Sequence, residues 1–204
     1  MNIHSGMTEL SRATTEEGRS LKRDAILEAA LELFSERGFH GTAVPLIAEK
    51  AGIGAGTVYR YFESKEAIVN ALYQHHKQDL ADRMIRGIRA EQSPREQFHH
   101  YWAILLAFVR ENPKAFEFLE LHHHSPYLDD ASRALEQRIF EMARSRFEEF
   151  RRQRVVKDVQ PEILMSIAHG AFVGLVKACG QERLVLSEKA MADAEQCVWE
   201  AIRG

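Results

Sequence analysis

Residues 42–62, TAVPLIAEKAGIGAGTVYRYF, contain the pattern that decides the fold of this chain. Thr42 can cap a short helix, and Pro45 fits its first turn, where a missing backbone N–H costs little. Gly52 ends this helix, and a second short helix begins around Gly54–Gly56 after a tight turn. Two short helices joined by a glycine-containing turn are typical of a helix-turn-helix.

The start of the second helix carries almost no side chains. At Gly54, Ala55 and Gly56 the backbone N–H groups and their partial positive charge can approach phosphates closely. Arg60 has a forked guanidinium that suits guanine or phosphate, whereas hydroxyl groups suit the DNA backbone. On pattern alone, an ordinary solvated helix face is an equal alternative. The residues predicted to contact DNA are Thr42, Gly54, Ala55, Gly56, Thr57, Tyr59, Arg60, Tyr61 and Lys65.

The longer stretch GFHGTAVPLIAEKAGIGAGTVYRYFESKEAIVNAL, residues 38–72, resembles the DNA-binding signature of the TetR (tetracycline-repressor-like) family. With the helix before it, the resemblance covers residues 22–72 and is highly specific. It implies a DNA-binding domain followed by a helical domain for effector binding and dimerisation. It also implies a repressor that a small molecule releases from DNA.

The resemblance carries individual contacts onto this chain. It implies that Thr42, Tyr59 and Lys65 contact phosphates and that Gly54 begins the recognition helix. Family members often have Ser and a basic residue where this chain has Gly54 and Ala55. The base-reading contacts therefore differ from the common family pattern, while the expected fold does not.

Apolar residues recur every three and four positions along most of the chain, as amphipathic helices require. No segment alternates apolar and polar residues for long enough to form a strand. We predict an all-α chain of about nine helices, with a three-helix helix-turn-helix domain joined to a C-terminal helical bundle. The predicted divisions are a disordered polar arm over residues 1–18, a DNA-binding domain over 19–66, and an effector-binding and dimerisation domain over 67–204.

Composition limits the class of protein. The chain has 204 residues and a net charge of -3, so any DNA contact must come from a local patch. Its two cysteines, Cys179 and Cys197, have neither a disulfide framework nor a zinc-finger spacing. No segment has the pattern of a signal peptide or an uninterrupted membrane span. We expect a cytoplasmic protein without membrane association, cofactor or metal.

The C-terminal half is rich in aromatic and aliphatic residues. Most of these side chains are expected to be core, although a helical bundle can leave an apolar cavity with a few polar groups. A small, largely hydrophobic effector suits such a cavity. The residues predicted to line it are His99, Tyr101, Trp102, Phe118, His122, His123, Phe140 and Phe172, with His124 as a further candidate.

A stripe of small residues predicts the dimer interface. Ser166, Gly170 and Gly174 recur every four residues, so a partner helix can approach closely along this line. Val198, Trp199 and Ile202 on the last helix are its expected partners, because the resemblance implies a four-helix interface across a two-fold axis. Close packing within one chain is the alternative.

These features together predict a dimeric, ligand-responsive transcriptional regulator that a small effector releases from a pseudo-palindromic operator. In the predicted mechanism, the effector shifts the long helix from Lys65 and changes the spacing of two recognition helices. One alternative is a metal-dependent helical enzyme that uses the chain's ten histidines with Glu117, Glu120 or Asp129. The other is an architectural DNA-binding protein without effector control.

Overall fold

The computed structural model describes residues 4–89, 91–185 and 187–204, with side chains from Gly18 onward. Within these ranges the chain is helical, and its only β pairing is an isolated antiparallel bridge between Val156 and Arg203. The α-helices are α1 (His4–Arg37), α2 (Val44–Lys50), α3 (Ala55–Val58), α4 (Lys65–Arg86), α5 (Pro94–Glu111), α6 (Pro113–Phe116), α7 (Asp130–Arg152), α8 (Pro161–Gly180) and α9 (Glu188–Ile202).

Helix α1 begins earlier than the sequence pattern predicts. The disordered arm expected over residues 1–18 is helical from His4, and residues 1–3 lie outside the described residues. Residues 16–22, EEGRSLK, include several good helix formers, and extending an existing helix costs little once its core-facing part is fixed. Gly38 ends the helix with φ +67, a left-handed conformation that glycine adopts without strain.

The chain divides into two compact units. The first comprises the chain up to Tyr73 together with His122–Leu128, and the second comprises Gln74–Leu121 and Asp129–Gly204. The division expected after residue 66 therefore falls later, inside α4, and a distant segment joins the first unit.

Aromatic stacking and hydrogen bonds hold that segment in the first unit. The Tyr127 ring stacks on Phe39 with centroids 3.8 Å apart, and its hydroxyl lies 2.7 Å from His40 Nε2. The Asn70 side-chain amide donates to the Tyr127 carbonyl at 2.8 Å. These partners are far apart in sequence, so helical periodicity gives no sign of them.

The second unit is built around α5, α8 and α9. Ser93 and Glu96 form a capping box at the start of α5, and each satisfies a backbone N–H of the other. Trp102 lies against Phe172 of α8 with ring centroids 5.1 Å apart, and Phe98 lies against Trp199 of α9 at 5.3 Å.

The segment over residues 113–127 does not form one continuous helix. It forms the short α6, a π-helical turn over Glu117–Leu121 and a 3-10 turn over Ser125–Tyr127. Pro126 cannot continue the hydrogen bonding of a longer helix, which accounts for the separate last turn. π-Helical turns are rare and often mark functional positions.

Candidate functional site

Helix α3 presents the face predicted to meet DNA. Val58 is buried at 1% exposed, so the opposite side of the helix faces solvent. Gly54 and Gly56 are exposed, and a Cβ added at either would meet no described atom within 4 Å. Tyr59 is 55% exposed, and Arg60 is also exposed. The exposed residues thus comprise two glycines without side-chain bulk, Gly54 and Gly56, and two residues with side-chain donors, Tyr59 and Arg60.

This recognition element is shorter than the predicted helix. It ends at Val58, and Tyr59, Arg60 and Tyr61 follow in tight turns, with Arg60 N–H donating to Thr57 C=O at 3.1 Å. A single helical turn has a small macrodipole, so side chains and close approach matter more here than helix charge. Ala55, Thr57 and Tyr61 are half-buried beside the exposed face.

Thr42 does not lie where a phosphate ligand must lie. Its side chain is 1% exposed, and its hydroxyl lies 2.9 Å from the Gly38 carbonyl and 3.1 Å from the Leu33 carbonyl. The hydroxyl donates to the end of α1, and Ala43 takes the cap position of α2 without a side-chain bond. The predicted phosphate contact of Thr42 is therefore replaced by an internal structural role.

Lys65 is also directed into the protein. Its ammonium donates to the carbonyls of Phe39 at 2.6 Å and Thr42 at 2.7 Å, and it lies 3.9 Å from the centroid of the Phe39 ring. Two of its three N–H donors are thus engaged within the chain. Lys65 fixes the turn between α1 and α2, where the sequence predicted a phosphate contact.

Three of the residues predicted for an effector pocket meet at one helix pair. Tyr101 and Trp102 on α5 face α8, where Tyr101 bonds to His169 and Trp102 packs against Phe172. Trp102 and Phe172 are 2% and 0% exposed. This α5–α8 interface is where the predicted polar and aromatic groups come together.

The other predicted pocket residues lie elsewhere. The exposed His99 bonds to Glu195 of α9, and Phe140 is 39% exposed on α7. His122 Nε2 donates to the Ser35 carbonyl in the first unit, while the neighbouring His123 is exposed. Phe118 is fully buried in the π-helical turn, and His124 is buried in the first unit. The surface positions do not join the α5–α8 interface, because local sequence does not show which side chains turn inward.

Sequence reasoning named Glu120 only for the enzyme alternative, and it did not place Glu120, Lys77 or His169 at this interface. Glu120 accepts from Lys77 Nζ at 3.2 Å and pairs with His169 Nε2 at 2.8 Å. The other nitrogen of His169 lies 2.8 Å from the Tyr101 hydroxyl. We call Lys77, Tyr101, Glu120 and His169 the Glu120 cluster. Helical spacing alone could not have revealed it, since each member lies on a different element.

Burial and charge shift the pKa values in this cluster. Burial by itself raises the pKa of Glu120, but the bond from His169 and the charge of Lys77 outweigh it and lower the pKa to about 2. Burial, and then the charge of Glu120, raises the pKa of Tyr101. The cluster therefore holds a carboxylate and a protonated phenol at neutral pH.

We expect the protein to lose stability in mild acid through His76. Burial, and then the nearby His75, lowers the pKa of His76 from 6.5 to about 4, although Asp79 acts against this shift. The unfolded chain binds the proton more readily, so stability falls as pH drops from 6.5 towards 4. Because His76 is partly exposed, we expect the free energy of unfolding to fall by only about 2 kcal/mol.

Urea unfolding of wild type and His76→Gln at pH 7 and pH 5 measures this loss. The variant is expected to show the smaller decrease, since it has no proton to bind. Equal decreases in both proteins contradict the assignment.

The predicted dimer stripe lies on an uncovered face of α8. Ser166, Gly170 and Gly174 are exposed, and the flanking Ile163 and Ile167 are 47% and 41% exposed. By length and composition α8 is apolar enough to cross a membrane, with a mean hydropathy of 1.6 and 17% of its most apolar window buried within the chain. One such helix is a weak sign of a membrane protein, and the same uncovered apolar face suits a partner helix.

The expected partners on α9 are not on an outer face. Val198, Trp199 and Ile202 are 9%, 8% and 0% exposed, and Trp199 packs on Phe98 of α5. These three residues belong to the core of their own chain. The structure therefore does not place them on a surface open to a partner, as the sequence had predicted. The amphipathic face of α9 is used internally, which its sequence pattern could not distinguish from a dimer contact.

The geometry of α2 and α3 defines a helix-turn-helix DNA-binding protein. The family model described as bacterial regulatory proteins of the tetR family matches residues 26–72, and the model of the tetracyclin repressor-like C-terminal domain matches residues 73–204. The chain belongs to the TetR family. The two family models meet between residues 72 and 73, close to the boundary between the two structural units after Tyr73. The family and the relatives named below are transcriptional regulators, not enzymes.

Two bacterial regulators are similar to this chain in sequence. The regulator RutR of Escherichia coli K12 is 34% identical over 113 residues, which are 54% of this chain and 53% of RutR. The fatty acid metabolism regulator protein of Bacillus subtilis is 35% identical over 72 residues, which are 35% of this chain and 37% of that protein. The chain thus matches about half of RutR and less of the second relative.

Solved structures share the fold over most of the chain. A TetR family transcription regulator from Marinobacter aquaeolei superposes with a TM-score of 0.80 at 24% identity, covering 92% of this chain and 98% of that one. The fatty acid degradation regulator FadR from Bacillus halodurans has a TM-score of 0.72 at 16% identity, covering 87% and 94%. At these identities the likeness shows the fold.

Proposed function

We propose that the protein is a dimeric, ligand-responsive repressor of the cytoplasm, which a small, largely hydrophobic effector releases from a pseudo-palindromic DNA operator. The observation that carries this proposal is the exposed α3 face, with Gly54 and Gly56 beside Tyr59 and Arg60. Family membership supports the same conclusion.

The DNA contacts we propose come from α3 and the turns after it. Gly54 and Gly56 allow close approach of the backbone, and Arg60 reads a guanine or pairs with a phosphate. Hydroxyl groups of Tyr59 and Thr57 hold the DNA backbone. With a net charge of -3, each copy offers DNA only a small local patch. Two copies that bind together supply two such patches.

A second copy of the chain supplies the other recognition helix. Two such helices one DNA turn apart match a pseudo-palindrome, so dimerisation sets the spacing of the half-sites. The uncovered α8 face, with Ile163, Ser166, Ile167, Gly170 and Gly174, is the surface we propose for the dimer.

Replacing Ile167 by Glu is expected to convert the dimer to a monomer. The substitution places a charge on an apolar surface that a partner must bury, and an unpaired buried charge is costly. Operator affinity falls with it, since a monomer binds one half-site. Light scattering and operator titration measure both effects.

Val185→Glu is the matched control for this prediction. Val185 is 78% exposed and lies outside α8, so the same change there is expected to leave the dimer intact. A dimer that persists in Ile167→Glu at micromolar concentration places the interface on another surface.

Effector control is proposed through elements that both units share. Helix α4 contributes residues to the first unit as far as Tyr73 and to the second from Gln74. The π-helical turn ends at Leu121, the last residue of its segment of the second unit, and the next residue, His122, belongs to the first unit. An effector acts only if it binds the DNA-competent and released states with different affinity.

Selection of bound sequences from a random double-stranded DNA library tests the proposed function. The expected product is a two-fold symmetric site, with affinity that falls steeply as salt rises. Indifference to sequence supports the architectural alternative, and absence of any DNA binding overturns the proposal.

A further inference from the structure

The Glu120 cluster has the chemistry of an occupied carboxylate receptor. Glu120 is 11% exposed and receives two donors, Lys77 Nζ at 3.2 Å and His169 Nε2 at 2.8 Å. Because the Glu120 carboxylate only accepts, His169 Nε2 donates to it, and in the neutral imidazole Nδ1 then accepts from the Tyr101 hydroxyl. The two donors are thus oriented before any ligand binds.

The cluster borders an aromatic region. His169 and Phe172 lie three residues apart on α8 and so share one face of that helix. Tyr101 and Trp102 are neighbours on α5, and Trp102 contacts Phe172. The His169 donor and an apolar wall therefore occur within one helical turn of each other.

Trp102 adds a second observation. Its side chain is 2% exposed, and no acceptor in the described part of the chain lies within hydrogen-bond reach of its indole Nε1. A buried N–H without an acceptor is costly and uncommon in folded proteins. This donor is therefore available to an acceptor on a bound molecule.

The position of Glu120 links the cluster to the first unit. Glu120 belongs to the π-helical turn Glu117–Leu121, and the next residue, His122, begins the segment that packs with Phe39 and Asn70. The segment that bears Tyr127 begins two residues after Glu120.

We propose that the effector carries a carboxylate that displaces Glu120 from Lys77 and His169, while its apolar part lies against Trp102 and Phe172. This inference rests on the proposed function, because it names the chemical class of the effector. Glu120 occupies the receptor in the state without effector. A neutral molecule cannot replace it, because Lys77 would then be left without its anion.

Glu120→Ala tests the receptor without knowledge of the natural effector. Truncation to Ala removes the atoms of an acetate ion, so sodium acetate is expected to raise the Tm of this variant in a saturable manner. Sodium chloride at equal ionic strength and the neutral acetamide are not expected to do so. Glu117→Ala, an exposed position in the same turn, is the matched control and is expected to be insensitive to acetate.

Lys77→Met in the Glu120→Ala background is expected to abolish the effect of acetate. Equal stabilisation by acetate and acetamide overturns the proposal, as does an acetate effect that survives Lys77→Met. If Glu120→Ala does not fold, Glu120→Gln keeps the side-chain volume and is the second variant. It is expected to bind octanoate about ten-fold more tightly than wild type does, with no gain for octanamide; equal octanoate affinities overturn the proposal.

Operator binding by wild type separates the two proposals. An acetate effect in a protein that selects no DNA site supports the receptor and overturns the regulatory function. A symmetric operator without any acetate or octanoate effect supports the regulator and overturns the carboxylate effector.

Discussion

A leucine in place of Gly56 is expected to abolish specific operator binding and to leave the fold intact. Within the chain, a Cβ at this position meets no described atom within 4 Å, so the side chain has room in the free protein. On DNA the same side chain occupies the space through which the backbone approaches. The expected loss is about a thousand-fold or more, the usual gap between specific and non-specific affinity.

Two measurements check this prediction. Titration of a fluorescent operator gives the affinity, and thermal unfolding is expected to give an unchanged or slightly raised Tm, because leucine favours a helix more than glycine does. Gly180→Leu is the control: its added Cβ also meets nothing within 4 Å, but it lies at the end of α8. Retained operator affinity in Gly56→Leu excludes the α3 face as the DNA contact.

Replacing Lys65 by Met is expected to destabilise the DNA-binding unit by about 2 to 3 kcal/mol. The change removes charged hydrogen bonds to the carbonyls of Phe39 and Thr42 and the contact with the Phe39 ring. Two carbonyls then lose their donor at the turn between α1 and α2. Amide hydrogen exchange in α2 measures the local loss, and it is expected to exceed the change in the second unit.

The salt dependence of operator affinity distinguishes this structural role from a phosphate contact. At a temperature where the variant is folded, the slope of log K against log salt is expected to match wild type. A phosphate contact predicts a slope smaller by about 1 for each protomer. Lys50→Met is the control for stability, since Lys50 makes a surface ion pair with Glu32 whose loss costs about 1 kcal/mol or less.

The sequence alone determined the all-α class and the helix-turn-helix. Both depend on signals that act over a few residues: apolar spacing of three and four, Pro45 in the first turn of α2, and glycines at Gly38 and Gly52 with positive φ. The exposed α3 face followed from the same local rules, since Val58 turns inward and its neighbours then face solvent.

Roles of polar side chains could not be determined in this way. Thr42 and Lys65 have the chemistry of phosphate ligands, and only packing decides whether their donors meet DNA or backbone carbonyls. Here the end of α1 and the turn before α2 lie within reach, and buried carbonyls require donors. Both side chains are therefore used inside the protein.

Tertiary structure also decided the Glu120 cluster and the role of α9. Lys77, Tyr101, Glu120 and His169 come from four separate elements, so no spacing along the chain brings them together. The apolar residues of α9 suit a core as well as an interface, and burial against α5 assigns them to the core. Local rules fix which backbone forms, whereas the partner of a side chain depends on contacts between residues distant in sequence.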